Sequence, residues 1–299
     1  MEAIVSHADA DGIISASLLL KLKPKAYLTF SSHSFLHKTF CLLLDKGIKE
    51  VYILDISADR KNLTISSAFE KAYWIDHHFW ENLDIPKNVQ VFVEESESAA
   101  KVVSKILKID SPLVEIANQI DTNNIKSEEA KFFRDLVSAI KWKYGKIQVL
   151  KFRQIAKLLA YHSIEELEKN VEYAKIIEEH LNWLNSLESE IYEKTRIFEI
   201  KNKKVAIFET TKSIPVYFIY EKLLKHEKAP FDIIAVIYRK INISKQALIT
   251  KIELRTQTNQ DVLKIAKNFN GGGHKVASGA SINEYIPIES LVKKIEEII

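Results

Sequence analysis

Residues 72–78, Ala-Tyr-Trp-Ile-Asp-His-His, join a short apolar run to three adjacent side chains that can bind a metal. The apolar part, Ala72–Ile75, predicts a buried β-strand, and Asp76, His77 and His78 follow at its carboxyl end. A tripeptide with two histidines also arises by chance on protein surfaces. Its meaning therefore depends on the residues that end the other strands in the same half of the chain.

Strands and helices alternate over residues 1–127. The predicted strands are Ala3–Ser6, Ala26–Phe30, Val51–Asp55, Tyr73–Ile75 and Val89–Val93. The predicted helices are Ile13–Leu22, Ser34–Lys46, Asn62–Lys71, Ser98–Leu107 and Pro112–Gln119. This alternation indicates βαβ units in a mostly parallel sheet, where active groups collect at the carboxyl ends of the strands.

The remainder of the chain predicts a helical stretch followed by a second α/β part. Residues 128–196 have a helical pattern, with one long helix expected over Glu165–Arg196. The strands expected after it are Lys204–Glu209, Ile233–Tyr238 and Leu248–Leu254, and the helices Ile214–His226, Gln260–Phe269 and Tyr285–Ile299. We therefore expect an α/β protein with a parallel-sheet domain over 1–127, a helical extension and connector over 128–196, and a smaller α/β domain over 197–299, with a cleft between the two α/β domains.

The composition is ordinary for a soluble protein. The 299 residues are 46% hydrophobic and 28% charged, with a net charge of +3 that neither announces nor excludes a nucleic-acid partner. Cys41 is the one cysteine, which excludes an internal disulfide and a cysteine-based zinc site. The chain has no long apolar run and begins without a signal-peptide pattern, so we expect a cytoplasmic protein without a membrane span.

A second group of potential ligands follows the first predicted strand. His7, Asp9 and Asp11 occupy alternate positions before Gly12, and alternate side chains of an extended segment share one face. All three can therefore point into one pocket. The alternative is that Asp11 caps the helix beginning near Ile13, although capping needs one aspartate and not two with a histidine.

Two further carboxylates lie where metal ligands are expected. Asp55 ends the apolar strand Val51–Asp55, and a turn-forming aspartate is the alternative for it. Asp121 lies at a helix C-terminus, where the helix dipole disfavours an acid unless a cation is near; the alternative is an exposed turn residue.

Together these groups supply five carboxylates and three imidazoles. This mixture of oxygen and imidazole ligands favours Mn²⁺, with Mg²⁺ as the alternative, over a thiolate-type zinc site. It suffices for two metals that share a bridging carboxylate, an arrangement that activates water and stabilises displacement at phosphorus.

The C-terminal part contains a further group with anion-binding potential. Gly271, Gly272 and Gly273 precede His274, and consecutive small residues expose backbone N–H groups that can hold an anion. Arg255 ends a predicted strand and can clamp a phosphate. The alternatives are a flexible turn with a structural histidine and a surface salt bridge of Arg255.

The order of these motifs resembles the DHH phosphoesterase family, in the subfamily with the DHH-associated C-terminal domain. That subfamily includes RecJ-type exonucleases, archaeal RecJ-like nucleases, nanoRNases and phosphoadenosine-phosphate phosphatases. The resemblance spans nearly the whole chain. Where the family commonly has Ala-Ala-Gly after its glycine-rich motif, this chain has Ala277-Ser278-Gly279.

The resemblance implies a role for each motif position. One Mn²⁺ would be held by His7, Asp9 and Asp55. The other would be held by Asp11, Asp55, His77 and Asp121, with Asp55 bridging. His78 would face the scissile phosphate, and Asp76 would orient a histidine. Arg255 and His274, with Gly272 and Gly273 beside them, would bind a phosphate or terminal nucleotide.

The function that follows is Mn²⁺-dependent hydrolysis of single-stranded or short RNA or DNA, as a phosphodiesterase or exonuclease. A phosphatase acting on 3′-phosphoadenosine 5′-phosphate or another small nucleotide is the alternative. A third hypothesis is a replisome or repair scaffold, which the complete set of ligand positions disfavours. A homodimer and a replication or repair protein as partner remain open, as do RNA or DNA preference and polarity.

Overall fold

The computed structural model describes residues 1–80, 83–242 and 247–299. These residues form two compact units, residues 1–180 and 181–299. The division differs from the three segments expected from the sequence. Much of the helical extension belongs to the first unit, because its helices contribute Phe133, Leu136, Phe152 and Ile155 to the core of that unit.

The first unit is built on a five-stranded sheet with the order β2-β1-β3-β4-β5. All four pairings are parallel, which confirms the predicted parallel sheet. Its strands are Glu2–His7 (β1), Tyr27–Ser31 (β2), Glu50–Leu54 (β3), Lys71–Asp76 (β4) and Val89–Val93 (β5).

Helices cover both faces of this sheet, so β1, β3 and β4 bury apolar residues on both sides. The helices up to the unit boundary are Ala10–Leu22 (α1), Leu36–Asp45 (α2), Arg60–Ser66 (α3), Ala99–Leu107 (α4), Leu113–Asp121 (α5), Glu128–Tyr144 (α6), Gln148–Tyr161 (α7), Glu165–Glu168 (α8) and Val171–Asn185 (α9), which contains the boundary. Ala3 and Val5 of β1 pack in the core with α2 and α3, whereas Ile4 packs in the core with α1, α4 and α7.

The second unit contains a six-stranded mixed sheet with the order β10-β11-β9-β8-β7-β6. Its elements are Glu188–Lys194 (α10), Arg196–Ile200 (β6), Lys203–Thr210 (β7), Val216–Leu223 (α11), Ile233–Asn242 (β8), Ala247–Arg255 (β9), Val262–Lys267 (α12), Gly272–Gly273 (β10), Ala277–Ile282 (β11) and Ile288–Ile298 (α13). Helices α10 and α11 pack on one face, and α12 and α13 pack on the other.

Two predicted helices are wrong in extent. The helix expected over Asn62–Lys71 ends at Ser66, because Lys71 pairs with Glu50 in the β3–β4 ladder. The long helix expected over Glu165–Arg196 is three helices and the first residue of β6. The carboxamide Oδ1 of Asn170 accepts hydrogen bonds from two backbone N–H groups in the first turn of α9, so Asn170 starts a new helix there.

Strands β6, β10 and β11 were not predicted. β6 forms a hairpin with β7 through Lys201 and Asn202, which both have positive φ angles; the absence of glycine hides this turn in the sequence. β11 is poor in strand-forming residues and forms because it pairs with β9 over six positions. Among the described residues, no helix is both long enough and apolar enough to span a bilayer.

Candidate metal centre and substrate-binding residues

The predicted ligands meet at the carboxyl edge of the parallel sheet. Strands β1, β3 and β4 are neighbours, and their carboxyl ends lead into His7, Asp55 and Asp76. Helix α5 ends at Asp121 and brings a further carboxylate to the same place, with its Oδ2 3.5 Å from Nε2 of His77. The structure thus gathers every residue that the sequence proposed as a metal ligand.

The first ligand group consists of His7, Asp9 and Asp55, whose candidate ligand atoms lie within 4.8 Å of one another. Nδ1 of His7 is 2.5 Å from Oδ2 of Asp9 and 3.6 Å from Oδ2 of Asp55. His7 and Asp9 are partly open, with side chains 38% and 31% exposed, whereas Asp55 is 2% exposed. This group has a buried end and an end that solvent or a ligand can reach.

The second group consists of Asp11, His77 and Asp121, and Asp55 lies beside it. Nε2 of His77 is 3.8 Å from Oδ2 of Asp11 and 3.6 Å from Oδ1 of Asp55. Because Oδ1 of Asp55 faces His77 and Oδ2 faces His7, this one carboxylate lies between the two groups. Its position is the one that a bridging ligand requires.

Asp55 adopts an unusual backbone conformation for this position. Its φ angle is 57°, in the left-handed region that residues other than glycine rarely occupy. The backbone N–H of Asp55 donates to the carbonyl oxygen of Ile75, which ties the bend to β4. Backbone strain of this kind concentrates at functional sites, and here it places the carboxylate between both ligand groups.

Two helix N-termini hold the aspartates that follow β1. Oδ1 of Asp9 accepts a hydrogen bond from the backbone N–H of Gly12 at 3.0 Å, so Asp9 caps α1. Asp11, for which capping of this helix was the alternative to metal binding, does not cap α1. Its two oxygens accept from the N–H groups of Ala99 and Ala100 at 2.6 and 2.8 Å. The N-terminus of α4 therefore orients Asp11 and favours its ionised form.

Gly12 is required because the chain passes very close to β1 at this turn. A Cβ atom at Gly12 would lie 2.2 Å from the carbonyl oxygen of His7. The hydroxyl of Ser6 donates to the carbonyl oxygen of Gly12 at 2.6 Å, which fixes the same turn. This close packing holds His7, Asp9 and Asp11 in register with the sheet edge.

The two histidines of the tripeptide are held by different partners. Nδ1 of His77 lies 3.1 Å from the carbonyl oxygen of Ser96, an atom that can only accept. His77 therefore donates from Nδ1, and in its neutral form the lone pair is on Nε2, which faces the carboxylates. Asp76 holds His78 instead, with 2.7 Å between Oδ1 and Nδ1. The predicted orienting role of Asp76 thus falls on His78.

Trp80 completes the support of the tripeptide. Its Nε1–H donates to Oδ2 of Asp76 at 2.8 Å, and its ring packs edge-on against Trp74 of β4 at 5.4 Å between centroids. Reasoning from the sequence missed this residue. A tryptophan two positions after the tripeptide has no periodicity or spacing that marks it as a hydrogen-bond donor to Asp76.

Crowding of the carboxylates raises several of their pKa values. Burial raises the pKa of Asp55 well above its ordinary value, and the charges of Asp9, Asp11 and Asp121 raise it further. Burial also raises the pKa of Asp11 to about 6, although His77 opposes this effect. Burial and the nearby carboxylates likewise raise the pKa of Asp121 well above its ordinary value. Negative charge is therefore in excess in this part of the site.

Opposing effects act on the pKa values of three other groups. Burial acts to raise the pKa of Asp9, but the contacts with His7 and the charge of Lys141 hold it well below its usual range. Burial acts to raise the pKa of Asp76, but the hydrogen bond from His78 lowers it below its usual value. Burial acts to lower the pKa of His78, but Asp76 raises it to about 9. Asp76 thus favours the protonated ring of His78.

These residues fit one or two divalent cations. Oδ2 of Asp55 is buried and accepts no hydrogen bond from any group in the described part of the chain. Such an atom is costly to bury unless a cation or hydrogen-bond donor compensates it. The atoms available to coordinate a metal are carboxylate oxygens and imidazole nitrogens, the ligand types that suit Mn²⁺. Cations between the two groups would balance the excess negative charge.

The predicted substrate-binding residues lie at one end of the second unit's sheet. Arg255 ends β9, and Ala277, its register partner on β11, exchanges backbone hydrogen bonds with His274. Gly272 and Gly273 form the edge strand β10 opposite Gly279 and Ser278, so they are paired residues and not a flexible turn. Nη1 of Arg255 donates to the carbonyl oxygen of Leu254 and lies 3.5 Å from Glu253, with 20% of its side chain exposed.

Comparison with known families finds one match, which lies within the second unit. Residues 202–299 match the family described as the DHHA1 domain. The C-terminal part of the chain is thus similar to DHHA1 domains. This confirms the resemblance to proteins with a DHH-associated domain that the motif order predicts. No curated protein sequence matches the chain.

Several solved structures resemble the chain over 99% or more of its length. They include the pGpG-specific phosphodiesterase PggH of Vibrio cholerae, 15% identical with a TM-score of 0.61 over 100% of both chains. The DHH domain of a member of a ribosomal protein family is 14% identical, with a TM-score of 0.64 over 99% of this chain and 87% of that one. RecJ of Thermus thermophilus in complex with Mn²⁺ is 13% identical, with a TM-score of 0.60 over 99% of this chain and 51% of that one. These likenesses confirm the predicted α/β fold.

Proposed function

We propose that this protein is a divalent-metal-dependent phosphoesterase that hydrolyses phosphodiester bonds in short single-stranded oligonucleotides. The observation that carries the proposal is the position of Asp55, a buried carboxylate with one oxygen toward His7 and the other toward His77. Similarity to PggH over the full length of both chains supports a phosphodiester substrate.

The cations would be Mn²⁺, with Mg²⁺ as the alternative. One would be held by His7, Asp9 and Asp55 and the other by Asp11, Asp55, His77 and Asp121. Such a pair supplies an activated water at neutral pH and stabilises charge on the phosphate during displacement. RecJ of Thermus thermophilus, which has a similar fold, is known in complex with Mn²⁺.

His78 acts on the phosphate in this proposal. Asp76 accepts the hydrogen bond from Nδ1, and in the protonated ring the opposite nitrogen, Nε2, carries a second proton that it can donate to a phosphate oxygen. Asp76 favours this protonated form, because its carboxylate raises the pKa of His78 to about 9 in the metal-free protein. Fixed charge aimed at the developing negative charge is a large contribution to such reactions.

Arg255 and His274, with Gly272 and Gly273, are proposed to bind a phosphate or terminal nucleotide. Arg255 is partly exposed, and its guanidinium group has five N–H donors, of which one at Nη1 donates to a backbone carbonyl and lies near Glu253. Gly272 leaves open space around its Cα, since a Cβ placed there would have no neighbour within 4 Å. An anion can therefore approach this backbone closely.

A single assay tests the function and its alternative together. The protein is incubated with Mn²⁺ and end-labelled single-stranded RNA, single-stranded DNA, dinucleotides and 3′-phosphoadenosine 5′-phosphate, and products are followed over time. We expect mononucleotides from the dinucleotides and short strands, with EDTA abolishing the reaction. Release of phosphate from phosphoadenosine phosphate alone would favour the small-nucleotide phosphatase. Absence of hydrolysis of every substrate would contradict an enzymatic role and favour a scaffold.

A further inference from the structure

Two strongly exposed phenylalanines lie at the same sheet edge as the metal-ligand cluster. Phe79 directly follows His78 and is 82% exposed, and Phe35 follows the end of β2 and is 59% exposed. Neither belongs to the metal site, and the proposed chemistry at phosphorus uses neither. Large exposed aromatic side chains beside a polar site often mark binding surfaces.

Each phenylalanine is in a segment that polar contacts hold in place. Phe79 lies between His78 and Trp80, which both hydrogen-bond the carboxylate of Asp76. Phe35 ends a short helical turn whose first residue, His33, accepts a hydrogen bond from Asn62 and lies 3.4 Å from Asp59.

The strand order places the ligand cluster between the two phenylalanines. Phe35 follows β2 and Phe79 follows β4, and the strands between them, β1 and β3, lead into His7 and Asp55. Three strand spacings separate β2 from β4, roughly 14 Å. One ring therefore cannot contact the groups on both sides of a phosphate bound at the cluster. Each ring can contact the group on its own side.

We propose that Phe79 and Phe35 stack on the two nucleobases that flank the phosphate bound at the ligand cluster. This inference rests on the proposed function and narrows its substrate to a phosphodiester with a base on each side. Aromatic rings stack on any base face, so the two residues would favour dinucleotides and short oligonucleotides over pyrophosphate or other substrates without bases.

The charge near Phe35 agrees with this role. The ammonium group of Lys38 lies 5.5 Å from the centre of the Phe35 ring, so a positive charge accompanies the ring. Proteins that bind single strands combine basic residues with aromatic rings in the same way. The alternative is that Phe35 packs against a second copy of the chain, and the experiment distinguishes the two.

The test uses a non-hydrolysable dinucleotide with 2-aminopurine at either the first or the second position, titrated with the Mn²⁺-loaded protein. Stacking quenches the fluorescence of this base. We expect quenching at both positions with the wild-type chain. Phe79→Ala should relieve it at one position and Phe35→Ala at the other, each with an affinity loss of about tenfold, while Phe79→Trp should retain quenching.

Tyr161→Ala is the matched control. Tyr161 is 61% exposed, but its hydroxyl donates to the carbonyl oxygen of Leu20 near the end of α1, at the opposite edge of the sheet. The inference is overturned if both phenylalanine variants quench and bind as the wild type does. It is also overturned for Phe35 if Phe35→Ala changes the mass of the particle in solution and leaves quenching intact.

Hydrolysis of the corresponding natural dinucleotide separates the two proposals. Quenching that depends on the phenylalanines, without product, rejects the proposed function and keeps the stacking inference. Product formation with affinity that is insensitive to both variants rejects the stacking inference and keeps the function. A wild-type chain that neither quenches nor cleaves contradicts both.

Discussion

Nδ1 of His78 and Oδ1 of Asp76 lie 2.7 Å apart, and this contact fixes which face of the imidazole can reach a substrate. The carboxylate is fully buried and also accepts from Trp80, so it cannot turn away from His78 without losing a hydrogen bond. The contact both orients the ring and keeps it charged.

Asp76→Asn should lower kcat for dinucleotide hydrolysis by about 10- to 100-fold, with a much smaller change in KM. The carboxamide has one acceptor oxygen for two donors and carries no charge, so the pKa of His78 should fall from about 9 towards its ordinary value. NMR titration of the His78 ring in the metal-free protein measures this fall. Asp45→Asn, at an exposed helix end, is the control. An unchanged His78 titration would show that Asp76 does not hold the ring charged.

Arg255→Ala should raise KM for oligonucleotides by about tenfold and leave kcat within about twofold, as expected for loss of one charge-assisted contact to a phosphate. Steady-state kinetics at several substrate lengths measure both constants. Arg196→Ala removes an arginine whose side chain is 51% exposed and which pairs with Glu289, and it should change neither constant. An unchanged KM on every substrate would remove Arg255 from substrate binding.

His180 should make the protein less stable in acid. It is 1% exposed, packs beside the ring of Trp142, and burial lowers its pKa to about 4. The unfolded chain binds a proton near pH 6.5 and the folded chain does not, so the free energy of unfolding falls as pH drops from about 6.5 to 4 and then levels off. The loss is about 3 kcal/mol.

Urea unfolding between pH 7 and 4 measures this effect. His180→Leu should flatten the dependence of the free energy of unfolding on pH in that interval, relative to the wild type. His162 is exposed, and His162→Leu should not flatten it. Parallel curves for His180→Leu and the wild type would contradict the buried neutral histidine.

The sequence is sufficient to predict the sheet edge and the ligand types, but not the contacts that hold the ligand side chains in place. Asp76, His77 and His78 end an apolar strand, and parallel strand ends meet at one edge, so these residues and Asp55 could be placed together. The hydrogen bonds that hold Asp11 could not be predicted, because its partners Ala99 and Ala100 are 88 and 89 residues away. Contacts over such distances follow from the packing of whole elements and leave no local signal.

The left-handed backbone conformation of Asp55 could not be predicted either. Its sequence neighbours predict an ordinary strand end, and the positive φ angle arises where the chain leaves β3 beside Ile75. Strand β11 was missed because pairing with β9, and not its own residues, makes it a strand. Local sequence propensity therefore predicts strands β1, β3 and β4. Strand β11, which lies beside Arg255 of β9, forms through tertiary pairing.

The central claim is that Asp55 joins two metal sites, and Mn²⁺ titration of the metal-free protein by calorimetry and electron paramagnetic resonance tests it most directly. Asp55→Asn is the informative variant, because asparagine tolerates the left-handed conformation and keeps the shape of the side chain. We predict two bound and magnetically coupled Mn²⁺ ions in the wild type. The variant should fold normally, bind at least tenfold more weakly and lose the coupling. Two coupled ions in Asp55→Asn, or no Mn²⁺ binding by the wild type, would contradict the account.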